Sequence, residues 1–512
     1  MGRIIDKMKQ AVRSWLNVRE ADPLNIDITE AFDFRGNAIK NKIWYRGSSY
    51  ELQQLYEQID KGIDRYKFWA CKSSPGMEMR KIHTGIPGNT VDMLATVTLA
   101  DMGIIEIKDG DQRDIWEAIE KENSFIKGLE STVKQVLVIG DGAYKLTYDT
   151  DISEYPIPEF FPGDMVEFVK KRGRLQEIIF KTVYEHDHRK YLLCEHYGYG
   201  YIKNHLYQDE REVAIDVIPQ TRALKDVMFS TYKENEQGEV TEKGKYMLAV
   251  PIMIFESSYF KGRGQSIFDK KVDAYDSLDE AWSQWMDALR AGRTKEYIPE
   301  NLIPRNPKTG EMTMKSNPFD NRFIKTEGDM REGSKSQIDV VQPSIPHESY
   351  AATYITALDQ CLQGIISPST LGIDVKKLDN ADAQREKEKA TLYTRNAIVA
   401  ALEEDIPKIV EIAIRAHKEL TTNTAYNEEI KVSLEFGEYA NPSFESQVET
   451  VAKAKSANIM STTAAVEELY GDSKSKDWKK EEVARLKEEQ GIAVMEEPAA
   501  NKAAGDFEVN ME

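Results

Sequence analysis

Side chains that could ligate a metal are concentrated in one aromatic-rich stretch: His186, His188, Cys194, His196 and His205. Zinc sites use such donors at characteristic short spacings, and these spacings match no such motif. The stretch alternates apolar and polar residues, which predicts strands that send alternate side chains to opposite faces. We therefore expect structural or surface histidines here and no metal site.

Two glycine-bearing segments superficially resemble phosphate-binding loops. Residues 139–145 read Ile-Gly-Asp-Gly-Ala-Tyr-Lys, but they lack the Gly-x-x-x-x-Gly-Lys-Ser/Thr spacing and lead into a strand pattern, whereas a phosphate loop opens a helix. Gly262-Arg263-Gly264 is too short for a nucleotide fingerprint and predicts a tight bend before a helix. Both segments are therefore predicted to be turns.

Acidic pairs and serines offer no catalytic constellation either. Asp109/Asp111 and Asp149/Asp151 lie in turn-like sequence, with no His, Lys or Ser at a motif spacing. Ser367, in Ser-Pro-Ser, lacks the context of a nucleophile elbow. The sequence predicts that the chain is not an enzyme and has no catalytic residue and no cofactor.

The composition is that of a globular protein with an acidic surface. The 512 residues are 41% hydrophobic and 30% charged, which predicts about two to four domains. The formal net charge of −19 disfavours broad adhesion to nucleic acid, yet an acidic wall would let a duplex slide past; solubility alone also explains it. Three scattered cysteines imply no disulfide framework. Without a long apolar run or a signal peptide, we expect a cytosolic protein and no membrane contact.

The elements that would position any functional residue are dominated by the stretch 264–367. Apolar residues recur at helical spacing from Ser266 to Thr294, and a second helical pattern begins at Tyr350. Between them, prolines and glycines prevent a helix. The chain is thus predicted to leave on one helix, build a small β-rich excursion, and return on another.

The remaining sequence predicts an α+β protein. Met1–Val18 reads as an amphipathic helix, Asn25–Asn41 as a linker, and residues 142–255 as a mainly antiparallel β domain. Helices are expected at Ser49–Gly62, Thr90–Leu99, Ile115–Leu137, Asn380–Leu420 (kinked at Pro407), Phe444–Met460, Thr462–Tyr470 and Ser475–Gln490, and strands at Ile104–Ile107, closed by a Lys108-Asp109-Gly110 turn, and Ile430–Phe436.

This order of elements, with several short motifs, resembles the portal proteins of tailed bacteriophages. The motifs are Trp44-Tyr45-Arg46-Gly47, Arg80-Lys81-Ile82-His83 leading to Ile86-Pro87, Phe125–Tyr148, Gly262-Arg263-Gly264 through Arg290, and Leu371-Gly372 followed by Asn380-Ala381. The resemblance covers most of residues 40–440, and each motif alone is weak.

The resemblance implies a portal fold with wing, stem, clip and crown. Its expected boundaries are 1–24, an N-terminal helix; 25–259, the wing; 260–294 and 347–366, the two stem helices; 295–346, the β-rich clip; 367–379, the tunnel loop; 380–441, a kinked wing helix with a wing strand; 442–490, the crown helices; and 491–512, a disordered tail.

Such a chain is expected to form a ring, usually of twelve copies, at one capsid vertex of a virion assembled in the bacterial host cytoplasm. The ring would pass double-stranded DNA during packaging and ejection. It would also nucleate assembly with the major capsid and scaffolding proteins, and then dock terminase and head–tail connector proteins. The terminase would carry the ATPase, consistent with the missing phosphate loop.

Two sets of residues acquire expected roles from this resemblance. The tunnel loop would present Asp374, Val375, Lys376 and Lys377 to DNA. The stem would form subunit contacts through Trp282, Trp285, Leu289, Tyr354 and Leu358, because the tryptophans carry more aromatic area than a two-helix hairpin buries alone. The alternatives are another phage structural component, a connector or baseplate protein without a DNA channel, and a monomeric enzyme with an unrecognised site.

Overall fold

The structure is a computed structural model. It describes residues 33–62, 80–149, 152–234, 240–242, 244–299, 302–310, 323–326, 338–373, 381–422, 424–426, 428–437, 444–457, 459–470 and 476–489. The chain is 47% helical and 22% strand, so the mixed α+β composition is confirmed. It divides into two compact units, Met1–Gly437 and Glu438–Glu512. The predicted N-terminal helix and C-terminal tail lie outside the described residues.

Eight helices are described in the first unit. They are α1 (Phe34–Arg46), α2 (Ser49–Gly62), α3 (Ile86–Ala100), α4 (Gly110–Asn123), α5 (Phe125–Ile139), α6 (Val272–Ala291), α7 (His347–Leu362) and α8 (Ala381–Thr422). The second unit contributes α9 (Phe444–Ser456), α10 (Thr462–Tyr470) and α11 (Lys476–Glu489). The long helix α8 continues through Pro407, as the apolar pattern on both sides of that proline predicted.

The strands form mainly antiparallel sheets. Their bounds are β1 (Glu106–Ile107), β2 (Asp141–Thr147), β3 (Ile157–Pro162), β4 (Val166–Lys171), β5 (Arg174–His186), β6 (Arg189–Gly198), β7 (Tyr201–Gln208), β8 (Arg211–Val213), β9 (Val227–Met228), β10 (Lys233–Glu234), β11 (Val240–Glu242), β12 (Ala249–Met253), β13 (Lys295–Pro299), β14 (Phe323–Thr326), β15 (Asp339–Val341) and β16 (Val432–Ser433). A six-stranded sheet runs β4-β5-β6-β7-β8, with β9 on β7, and a three-stranded sheet runs β12-β2-β3. The antiparallel strands predicted for residues 142–255 are observed.

One large apolar core holds the first unit together. It joins α1, α3 and α5 to β2, the start of α6, the end of α7, and the second half of α8. Ile406, Ile409, Val410 and Ile414 are among the residues that α8 contributes to this core, and all four are fully buried. The hairpin of α6 and α7 is thus anchored at one end in the core, while its other end leads to strands β13–β15.

Three local predictions were wrong. The second part of the expected linker Asn25–Asn41 is helix α1, which starts at Phe34 because the side chain of Asp33 accepts a hydrogen bond from Gly36 N. The expected single helix Ile115–Leu137 is two helices, broken where Ser124 adopts a left-handed φ of 49°. Asp109 does not close a turn but caps α4 by accepting from Gln112 N at 3.0 Å.

The two glycine segments proved to be halves of one junction. Helix α5 ends at Ile139, its C-cap Gly140 has φ 118°, and β2 starts at Asp141. Gly264 lies so close that a Cβ on it would stand 2.1 Å from the Gly140 carbonyl oxygen. Glycine is therefore required at Gly264 for close backbone approach, and both segments are turns, as predicted.

The junction is locked by a buried ion pair. Asp141 is fully buried and accepts from Arg263 Nε at 2.8 Å, Arg263 Nη2 at 2.7 Å and Gly264 N at 2.7 Å. Arg263 also donates to the carbonyls of Gly163 and Val166, and its guanidinium lies 3.7 Å from the ring centroid of Phe34. This bidentate pair joins α1, α5, β2 and the bend that leads to α6.

Candidate functional site: the α6–α7 hairpin and its strand cap

Helices α6 and α7 pack against each other in antiparallel order. Near the core, Lys271 Nζ donates to the carbonyls of Gln360 and Gln363. Further along α6, Trp282 contacts Tyr354, with ring centroids 5.2 Å apart. As α6 advances, its partners in α7 therefore move back along the chain, which makes the two helices one hairpin.

The distal half of the hairpin is joined by four aromatic rings. Trp282 and Trp285 pack edge to face at 5.7 Å, and Trp285 lies parallel to Tyr350 at 6.5 Å and tilted against Tyr354 at 6.3 Å. All four rings are half-buried within one chain. Helix α7 thus covers part of the aromatic area that the sequence had suggested only neighbouring copies would bury. Trp285 Nε1 is buried and has no hydrogen-bond partner among the described residues.

The predicted interface residues differ in what they leave exposed. Leu289, near the distal end of α6, is 44% exposed and belongs to no described core cluster. Leu358 is 1% exposed and lies in the main core of the chain itself. Its side chain therefore has no surface left for a neighbouring subunit, and the physical reason is its position on the core-anchored half of α7.

The strand cap at the distal end is a three-stranded sheet in the order β14-β13-β15. Strand β13 pairs parallel to β14 and antiparallel to β15. All three residues of β15 are exposed, and Val340 is 62% exposed. Exposed apolar side chains gather in this part of the chain: Leu289, Leu302, Ile338, Val340 and Val341. An apolar edge strand of this kind is open to pairing with another chain.

A polar clamp ties the middle of α6 to the segment before α3. Asp279 accepts from Thr84 N and Thr84 Oγ1, both at 2.9 Å, and pairs with His83 Nδ1 at 2.6 Å. One turn on, Ser283 Oγ accepts from Ile82 N at 2.8 Å. Sequence reasoning missed this clamp, although Arg80–His83 was among the quoted motifs, because nothing local links it to Asp279.

The predicted DNA-facing residues Asp374, Val375, Lys376 and Lys377 lie outside the described residues. The chain entering that segment is well held: Ser367 N donates to Thr391 Oγ1 at 2.8 Å, and the hydroxyls of Thr370 and Thr391 are 3.1 Å apart. Thr391 belongs to α8, so the turn after α7 is fixed to the third turn of the helix that follows the loop.

The candidate metal ligands in the six-stranded sheet are engaged otherwise. His196 pairs with Glu177 at 3.2 Å and His205 with Glu212 at 2.6 Å. Cys194 is buried, which raises the pKa of its thiol to about 11. Strand register places Cys194, His196 and His205 on one face, closer together than the alternation argument suggested. Even so, in the part of the chain that the structure describes, no three potential ligands converge on a metal site.

A cleft of about 360 Å³ lies where α6, α7 and α8 meet, lined by Phe255, Ile267, Lys271, Gln363 and Tyr393 among others. Burial lowers the pKa of Lys271, but its ammonium is already held by the carbonyls that end α7. Asp269, also at this cleft, accepts instead from Asn37 and Asn41 of α1. The cleft therefore presents no free acid–base pair. Among the described helices, none is long and apolar enough to cross a membrane.

Comparison with known proteins gives distant similarity only. No family model matches the chain, and no curated protein matches it. One similar solved structure is from the virion of a native gene transfer agent particle; it is 14% identical over 73% of this chain and 87% of that one, with a TM-score of 0.36. Another, from the neck of an empty gene transfer agent particle computed with C6 symmetry, is 14% identical over 80% of this chain and 96% of that one, with a TM-score of 0.39. At these scores the similarity assigns neither family nor function.

Proposed function

We propose that this chain is a portal-type subunit, which assembles into a closed ring at one vertex of a phage-like particle and lines a channel for double-stranded DNA. The observation that carries the proposal is the α6–α7 hairpin. It is anchored in the core at one end, and at the other it bears a strand cap with an uncovered apolar edge. The sequence resemblance to portal proteins assigns the same segments to stem and clip.

The exposed distal surface supports assembly in a ring. Val340 and Val341 are exposed on an edge strand, and Leu289 is exposed on the helix that leads to the cap. A strand edge of one copy can pair with the cap of the next, a head-to-tail contact that closes into a ring when the rotation allows. Burial of these side chains would contribute about 25 cal/mol per Å² of apolar surface.

The charge of the chain supports a conduit. With a net charge of −19, a ring of this chain would repel phosphate over most of its surface, so a duplex could move through it with few adhesive contacts. In this role the protein performs no catalysis itself. It would be a virion component that provides the docking platform for terminase and connector proteins, and it would nucleate assembly with capsid and scaffolding proteins. Twelve copies is the expected number.

A connector or baseplate component without a DNA channel is the second candidate. Its support is the same acidic composition and exposed strand edge, which suit any ring or stacked assembly. The two candidates differ in the pore, because only a portal must leave an opening wide enough for a duplex.

The test is imaging of the purified full-length chain by electron microscopy, with mass photometry for the subunit number. We expect closed rings with a pore that admits duplex DNA. A double substitution, Val340→Asp with Val341→Asp, should abolish rings, because it places unpaired charge at the apolar edge. Ile104→Asp is the matched control, since Ile104 is an exposed isoleucine outside the hairpin.

Only monomers or open fibres from the unmodified chain, over a range of salt concentrations, would contradict ring assembly. Closed rings without a duplex-sized pore would favour the connector or baseplate function. Equal loss of rings in the control variant would mean that the loss is not specific to the hairpin, and the hairpin would no longer be assigned to the interface.

A further inference from the structure

The β4–β5 hairpin ends in a cluster of exposed cations. Lys170 and Lys171 end β4, Arg172 and Gly173 form the turn, and Arg174 begins β5; all are exposed. Arg172 and Gly173 both have left-handed φ angles, 54° and 79°. Two such residues make the two-residue turn whose twist matches a hairpin, so the tip is a narrow ribbon of defined shape.

These cations are not neutralised by the chain around them. Among the described residues, Lys171, Arg172 and Arg174 form no ion pair. Lys170 Nζ donates to the carbonyl of Gly262 at 2.7 Å, which brings the exposed Lys261 beside the hairpin.

The acids on the same two strands are already engaged. Glu167 pairs with Lys181 at 2.6 Å. Glu177 contacts His196 at 3.2 Å and accepts from Tyr201 at 3.1 Å. The tip of the hairpin is therefore a local positive patch on a protein whose net charge is −19.

The other hairpin tips of the sheet are not alike in charge. Because the strands are antiparallel neighbours, the β5–β6 and β7–β8 turns lie at the opposite end from the β4–β5 turn. The β5–β6 turn carries Asp187 and is mixed in charge. The β7–β8 turn carries Asp209 and Glu210 and is acidic. The basic character of the β4–β5 tip is thus not a general property of the turns of this sheet.

We propose that the β4–β5 hairpin binds the phosphate backbone of double-stranded DNA. Closely spaced Arg and Lys side chains are the groups that bind phosphates, and a two-stranded β-ribbon is narrow enough to enter the major groove. The turn carries no aromatic ring on which an unpaired base could stack, which favours a duplex over single-stranded DNA, and contacts to phosphates carry no sequence information. The acidic remainder of the protein confines the contact to this tip.

An acidic protein segment is the competing polyanion, and strand geometry disfavours it. Such a segment would gain most by adding to the open edge of β4. That edge ends in two lysines, and its register shifts between Val169 and Lys170. Lysines and bulges are devices that discourage strand addition at an edge.

The inference goes beyond the proposed ring and does not depend on it, since it rests on the charge and shape of one hairpin within a single chain. It is tested with the full-length protein and a fluorescent 30-base-pair duplex, by anisotropy over a series of salt concentrations. Mass photometry of each sample separates a change in assembly from a change in DNA binding.

The test variant combines Lys171→Gln, Arg172→Asn and Arg174→Gln. Asparagine is chosen because it tolerates the left-handed conformation at Arg172. Each phosphate contact contributes about 0.9 to the slope of log affinity against log salt. Loss of three contacts should therefore flatten that slope by about 2.7 and weaken binding at 0.1 M salt by at least about tenfold. Circular dichroism checks the fold, and Lys171→Gln with Arg174→Gln, which leaves the turn intact, is the variant to use if the triple variant unfolds.

The matched control is Arg189→Gln with Lys190→Gln, which removes two cations from the start of β6, next to the β5–β6 turn at the opposite end of the sheet. Unchanged DNA binding in this control, together with the loss above, supports the inference. Three results would overturn it: no binding of the duplex by the unmodified chain, an equal loss in the control, or binding of polyglutamate in place of the duplex with the same dependence on the three residues.

Discussion

The junction at Asp141 and the distal end of the α6–α7 hairpin differ in whether their side chains find partners within the chain. At the junction, a fully buried carboxylate has three donors from Arg263 and Gly264, and the glycines allow the backbones to touch. At the distal end, Leu289 is exposed on helix α6 and Val340 is exposed on strand β15. The first region is complete within one chain, whereas the second leaves apolar side chains exposed that a partner would cover. A region that is incomplete alone is where assembly should occur.

The contrast is tested most severely at Asp141. Asp141→Ala leaves Arg263, whose side chain is only 18% exposed, with no carboxylate, and loss of one partner of a buried pair costs up to about 3–5 kcal/mol. Urea unfolding followed by circular dichroism should show this loss. Arg113→Gln, which removes a 3.8 Å exposed pair with Glu117, should cost less than about 0.5 kcal/mol. Equal effects would mean that the junction is not locked by its ion pair.

The close backbone approach gives the next largest effect. Gly264→Ala places a methyl group 2.1 Å from the Gly140 oxygen, an atom that cannot move without the backbone. Overpacking of this kind costs about 1–3 kcal/mol. Gly128→Ala, in helix α5 with nothing within 4 Å, should instead stabilise by about 0.5–1 kcal/mol. Thermal unfolding of both variants measures these changes in stability. A Gly264→Ala variant as stable as the unmodified chain would contradict the tight junction.

The packed body also contains a titrating acid on α8. Burial raises the pKa of Asp405 from 3.8 to about 6, partly offset by Lys408 at 3.1 Å. Because the folded chain holds this proton more tightly than the unfolded chain, stability from this group is present below pH 4 and is lost as the pH rises through about 6.

Asp405→Asn should therefore raise the free energy of unfolding by about 1–2 kcal/mol at pH 8 and leave it unchanged at pH 4. Glu404→Gln is the control, since Glu404 contacts the same lysine but is mostly exposed. Unfolding at both pH values makes the test, and an equal gain at pH 4 and pH 8 would show that the effect is not titration.

The smallest effect on the isolated chain is expected at the other region. Leu289→Gln changes a side chain that is already 44% exposed, so monomer unfolding should shift by less than about 0.5 kcal/mol. Ring assembly, measured by mass photometry, should nevertheless weaken, while Ile104→Gln should leave it unchanged. A large loss of monomer stability, or rings as stable as those of the unmodified chain, would mean that Leu289 is not a subunit contact.

Much of the fold could be predicted from local pattern. Helix α2 was expected at Ser49–Gly62 and lies there, and the antiparallel strands follow their alternation. The errors came from single residues with specific conformations: Ser124 divides a continuous apolar pattern, and Asp33 starts a helix in polar sequence. In both cases the conformation or the capping hydrogen bond of one residue decided where a helix begins or ends, against the apolar pattern of the residues around it.

The candidate site was predicted in outline only. The order helix, strands, helix was readable from prolines and periodicity, but the exposure of Leu289 and the burial of Leu358 were not, because both occupy apolar positions of their helices. The clamp of Asp279 on His83 depends on which elements become neighbours, whereas the cations of the β4–β5 turn are consecutive in the sequence.

By itself, the sequence determined what depends on near neighbours in the chain: the element types, the acidic charge, and turns at Gly140 and Gly262. Only the tertiary structure decided that Asp141 and Arg263, 122 residues apart, form one lock. It also decided that the consecutive cations at the β4–β5 turn stay exposed and that the distal cap stays uncovered. Burial and long-range pairing are set by packing of the whole chain, and no local spacing encodes them.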